Sequence, residues 1–132
     1  MTRRTLDGQP LYVTDREKTL LDAADRPELS GGILQLAQAL QAAPALVDWL
    51  QLDAYLQRWP NTSPRKRLGY LVETLALPVP DREARLARWQ SALAPGVVRL
   101  EPGGARNTGR IVTRWHVHVN VAGPWSESVV GE

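Results

Sequence analysis

The chain has 132 residues, no cysteine, no phenylalanine and one methionine, and its only lysines are Lys18 and Lys66. Without cysteine there is no disulfide framework, no thiolate nucleophile and no thiolate metal ligand, which points to a reducing compartment. Long apolar runs are also missing. Nothing approaches the roughly 20 residues needed to cross a bilayer. The opening MTRRTLDGQPLYV carries basic residues but no apolar stretch of the signal-peptide kind. The expectation is a cytoplasmic protein with no membrane partner. Charge of one sign is scarce as well: 16 Lys and Arg oppose 14 Asp and Glu, a formal net charge of +2. The balance does not demand a nucleic-acid partner. Arginine forks match phosphate better than lysine does, but a GC-rich genome would give the same arginine bias.

What is present fits one folded domain. The hydrophobic fraction is 43%, too high for a disordered tail, and the length suits a single unit. Leucine, valine, alanine and five tryptophans must build the core.

Residues 1–10 read as a leader into a short strand at 11–13. Thr14 followed by Glu17 has the spacing of a capping box. The helix it opens carries Leu20, Leu21 and Ala24 on one face and stops at Pro27. Ser30-Gly31-Gly32 turns the chain into a second helix striped by Ile33, Leu36, Ala37 and Leu40. Pro44 starts a third helix, about residues 45–59, with Leu46, Trp49, Leu50, Leu56 and Trp59. Ser63-Pro64 places a hydroxyl cap and a first-turn proline ahead of the fourth helix. Its buried side is Leu68, Leu71, Val72 and Leu75, and mid-helix Gly69 suggests a close contact with another helix. Asp81 caps a fifth helix, about residues 82–94, with Leu86, Trp89 and Leu93 inward. Then the period changes. Residues 97–100 form a short β run, 101–109 a loop, and 110–121 an alternating strand. In that strand Val112, Arg114, His116, His118 and Asn120 share one face, and Ile111, Thr113, Trp115, Val117, Val119 and Val121 the other. The fold class is α+β: a cluster of about five helices with a small C-terminal sheet, expected to be antiparallel. Residues 123–132 read as a flexible tail in which Trp125 is exposed and free to anchor a partner.

Three segments together resemble the C-terminal domain of AbiEi-type antitoxins: VTDREKTLLDAADRPELSGG, NTSPRKRLGYLVETLAL and RWHVHVNV. Their order and spacing fit that family over roughly residues 11–122, although Lys18 stands where the family more often has arginine. The resemblance implies a type IV toxin–antitoxin system. Full-length members carry a winged helix-turn-helix that binds the promoter and represses the operon. In that family the C-terminal domain opposes a nucleotidyltransferase-like toxin without needing a tight complex. This chain begins just ahead of that domain, so an antitoxin domain without the helix-turn-helix is expected.

Catalytic chemistry finds little support. His116 and His118 would share a strand face, but the sequence supplies no third ligand at suitable spacing. No serine sits in a nucleophile-elbow setting, and no carboxylates form an acid–base pair. Ser30-Gly31-Gly32 could hold an anion at a helix start, but it lacks the lysine of a phosphate loop and reads as a structural turn. No catalytic residue, metal or cofactor is expected. The basic groups are the candidate contacts. Arg65, Lys66 and Arg67 crowd the first turn of the fourth helix, against its dipole. Arg82, Arg85 and Arg88 recur every third residue on the fifth, and Arg114 adds charge on the strand. Either these seven touch a partner or a nucleic acid, or they form a solvated face with local ion pairs. A stand-alone nucleic-acid-binding protein using these arginines is the alternative to the antitoxin reading.

Overall fold

The computed structural model describes residues 16–125, together with the backbone of two short antiparallel strands, β1 (Thr5–Leu6) and β2 (Gln9–Pro10). The strand expected at 11–13, the capping hydroxyl of Thr14 and residues 126–132 lie outside the described residues.

Five helices follow: α1 (Arg16–Asp25), α2 (Ile33–Ala42), α3 (Trp49–Arg58), α4 (Ser63–Thr74) and α5 (Arg82–Ser91). The first two bury the apolar positions that their spacing selects. Pro27 ends α1 by opening a single 3-10 turn. The third helix starts later than its apolar pattern suggests. Residues 44–46 form a separate 3-10 turn, and Asp48 caps α3 by accepting from the Gln51 N–H at 3.1 Å. This shift turns Leu46 and Leu50 outward, at 60% and 74% exposed, and brings Leu52 into the core beside Trp49 and Leu56. At the start of α4 the cap position belongs to Thr62, not Ser63. The Ser63 N–H is met by Asn61 Oδ1 at 2.8 Å, and Thr62 Oγ1 accepts from Ala94 N at 3.1 Å. Asp81 precedes α5 in a left-handed conformation and makes no side-chain cap.

The fourth helix is the axis of the fold. Every residue from Pro64 to Val72 is buried. It packs against α1, α5 and the sheet, while α1 also packs on α2 and α3. A helix buried on all sides is ordinarily apolar all round. This one carries three cations, a conflict taken up below.

The sheet has three strands in the order β3 (Val98–Arg99), β5 (Val117–Val119), β4 (Arg110–Val112). It is mixed. The expected antiparallel pairing holds for β4 with β5, and β3 runs parallel to β5. The continuous strand expected over 110–121 is instead a hairpin. A four-residue turn at 113–116 is closed by Trp115 N to Val112 O and His116 N to Thr113 O, with His116 at φ +57°. Folding back pairs Val112 with Val117 and Ile111 with His118. Residues on the first arm therefore swap faces relative to a straight strand. Ile111, expected inward, is exposed, and Val112 packs on the core.

The turn serves Trp115, which is fully buried. Its ring lies over Gly69, where an added Cβ would come within 2.2 Å of the ring atom Cζ3. The close contact expected at Gly69 is thus with a tryptophan of the sheet, not with a helix. Trp125 repeats the device. Expected to be exposed, it is fully buried, stacks over Gly123 and donates from Nε1 to Val121 O at 2.8 Å. The chain is packed at least to that residue.

Gly69→Ala separates packing from propensity. Helix propensity alone would raise stability by about 1 kcal/mol. Overpacking against Trp115 lowers it by about 1–3 kcal/mol. Urea unfolding should show the loss, and a gain would contradict the assigned contact.

Candidate functional site

The cations on α4 reach away from their own helix start. Arg67 donates from Nε to Arg99 O at 3.0 Å, and from Nη1 to Ala24 O at 2.8 Å and Asp25 O at 3.0 Å. It therefore caps the carbonyl end of α1, where a cation is favoured by the helix dipole, and ties it to β3. Burial pulls its pKa down, opposed by the charges of Glu28, Asp25 and Glu101. Lys66 is also buried and donates from Nζ to Gly96 O at 2.7 Å. Burial and the neighbouring Arg67 charge lower its pKa.

The arginines of α5 are used in the same way. Arg82 donates to Glu73 O at 3.1 Å at the end of α4. Arg85 is 2% exposed and is held by Asp53 Oδ2 at 3.0 Å and by Pro80 O. Asp53 also accepts from Arg88 Nη2 at 3.3 Å and, through Oδ1, from Trp89 Nε1 at 2.8 Å. One carboxylate on α3 thus organises three side chains of α5. Glu73 does the same for the hairpin, accepting from Trp115 Nε1 at 2.7 Å and pairing with Arg114 Nε at 2.8 Å.

The remaining acids cap helices from a distance. Glu17 Oε2 accepts from Asp48 N at 2.8 Å, so it serves the start of α3, a role that the capping-box reading did not give it. Glu101 Oε1 accepts from Ile33 N at 2.7 Å. The helix start after Ser30-Gly31-Gly32, considered as an anion site, is therefore filled by the chain's own carboxylate. Asn120 locks the same corner, accepting from Glu101 N at 2.9 Å and donating to Glu101 O and Ala105 O. Asn120 is buried, so the strand face assigned to it as polar points partly into the fold. His116 Nδ1 lies 3.0 Å from Ala94 O, and His118 Nε2 lies 2.6 Å from Thr108 O. Among the described residues no three His, Cys, Asp or Glu side chains gather as metal ligands, and no helix is long and apolar enough to cross a membrane.

The seven expected contact residues therefore do not form one cationic face. Arg65, Lys66, Arg67 and Arg85 are buried and offer little open surface. Arg82 and Arg114 converge on Glu73. Arg88 and Arg114 keep large exposed surface, with side chains 57% and 50% exposed. Arg65 and Arg88 meet in a cavity of about 260 Å³ lined also by Asp53, Gln57, Trp89 and Ser91. Asp53 is not singled out in the sequence. Its role depends on α3 meeting α5, a long-range pairing without a local signal.

Compared with protein-family models, with curated proteins and with solved structures, the chain has no match to any of the three.

The Asp53 cluster predicts a steep contrast in urea unfolding. Asp53→Ala leaves Arg85 buried without its carboxylate and should cost about 3–5 kcal/mol. Asp22→Ala removes an exposed pair with Lys18 and should change stability by less than about 1 kcal/mol. Equal costs would contradict this account of Asp53.

Proposed function

We propose that the chain is an antitoxin-type regulatory domain of the cytoplasm that opposes a nucleotidyltransferase-like toxin through contacts, without catalysis. The observation that carries this reading is that the three antitoxin-like segments form one packed unit. The first supplies α1 and the turn into α2, the second α4, and the third the Trp115 turn and β5. Arg67 of the second segment bonds the carbonyl end of α1 in the first, and Gly69 of the second receives Trp115 of the third. Segments that resemble one family only in order and spacing thus share one core. Asp53, Glu73, Glu17 and Glu101 are each engaged in holding elements together, which fits a contact function.

A second reading, nucleic-acid binding, draws on Arg88 and Arg114, whose side chains are half or more in solvent. It differs from the antitoxin reading in its salt response. Each phosphate contact adds nearly one unit to the slope of log affinity against log salt.

The test is co-expression with a nucleotidyltransferase-like toxin of the type IV class. Rescued growth supports the antitoxin reading, and a folded chain that fails to rescue overturns it. A mobility shift with RNA or duplex DNA that weakens steeply with salt, and again on Arg88→Ala with Arg114→Ala, supports the second reading instead. Absent or salt-insensitive binding removes it.

A further inference from the structure

The cavity between α3, α5 and the first turn of α4 holds a cation that the fold does not use. Arg65 is 8% exposed, and its Nε is buried without a hydrogen-bond partner. Its guanidinium forms no ion pair among the described residues; Asp53 acts on it only through its field, and burial lowers its pKa. Arg67, two positions on, satisfies three backbone carbonyls, and Lys66 satisfies one. Arg65 is the exception on that turn. A buried guanidinium nitrogen without a hydrogen-bond partner is costly, and an unexplained cost of this kind marks a place where something else completes the contact.

The surroundings define what would complete it. Arg88 reaches the same cavity with one donor on Asp53, leaving Nε and Nη1 for another acceptor. Asp53 already accepts from Arg85, Arg88 and Trp89, so its negative charge is already matched. Arg65, Arg85 and Arg88 set against Asp53 leave a formal charge of +2 at this corner. The Gln57 side chain adds an amide to the lining, while the Ser91 hydroxyl donates to Arg88 O at 2.9 Å. Two guanidinium groups, one buried and one exposed at the rim, suit a compact oxyanion with several acceptor oxygens. At about 260 Å³ the cavity holds a phosphate group with room to spare.

We propose that this cavity, built on Arg65 and Arg88, binds a single phosphate group, either as free phosphate or as the terminal phosphate of a mononucleotide. The proposal goes beyond the regulatory reading and is measured without any toxin. Bound anion would neutralise Arg65 and join α3, α4 and α5, so occupancy stabilises the domain by mass action.

Calorimetric titration of the full chain with inorganic phosphate, at constant ionic strength with chloride as the replaced ion, tests it. The expected result is a saturable heat. Arg65→Met and the surface change Arg88→Met should each weaken the dissociation constant by about tenfold or more, the loss of one charge-assisted contact. Arg106→Met, in the exposed loop between β3 and β4, should leave it unchanged. Titration with adenosine 5'-monophosphate separates the two sources: tighter binding than phosphate assigns a nucleotide, equal or weaker binding assigns free phosphate. Adenosine without phosphate should give no heat. The proposal is overturned if wild-type chain shows no saturable heat, if folded Arg88→Met binds as wild type, or if adenosine binds as well as its monophosphate.

Discussion

Arg67 carries a full charge into the middle of the domain, and three elements depend on where its donors go. From the buried helix α4 it holds the last carbonyls of α1 and the backbone of β3 at once. The helical cluster and the sheet are joined here by hydrogen bonds to a charged group, each stronger than its neutral counterpart. A leucine in that place would leave three carbonyls unmet. The cation belongs there because the end of α1 is electrically negative and the interior supplies too little water to satisfy it otherwise.

The same economy recurs across the chain. Glu17 meets the start of α3, Glu101 the start of α2, Arg82 the end of α4. In each case a charged side chain caps a helix that it does not belong to. Local capping residues are few in this sequence: Gly32, Ala43 and Arg26 stand where serine or aspartate would serve. Long-range caps take over that work, and they couple the helices to one another as a consequence. With no phenylalanine to fill space, Trp115 and Trp125 do so, each over a glycine and each with its indole N–H bonded.

This explains what could be read beforehand. The five helices, their inward leucines and the α+β class followed from spacing and from the prolines, because those signals are local. The hairpin at 113–116 escaped because alternation of apolar residues continues through the turn, and nothing local marks His116 as left-handed. The start of α3 was misplaced because Pro44 and Asp48 both signal a helix, and the first yields only a 3-10 turn. The candidate cations were picked out by type, but their fate was invisible. Whether an arginine meets solvent, a carbonyl or a carboxylate depends on partners 30 or more residues away, as with Arg85 and Asp53 or Arg67 and Ala24. The Arg65 cavity needed all three helices in place before the unmatched charge could be recognised.

The central claim is that adjacent cations on one helical turn have opposite roles: Arg67 holds the fold and Arg65 does not. Urea unfolding of Arg67→Met and Arg65→Met, in phosphate-free buffer, addresses it directly. Arg67→Met should lose about 3 kcal/mol or more, since three carbonyls lose their donor. Arg65→Met should be neutral or more stable, because it removes a buried charge without a partner. Equal losses, or a larger loss at Arg65, would contradict the account.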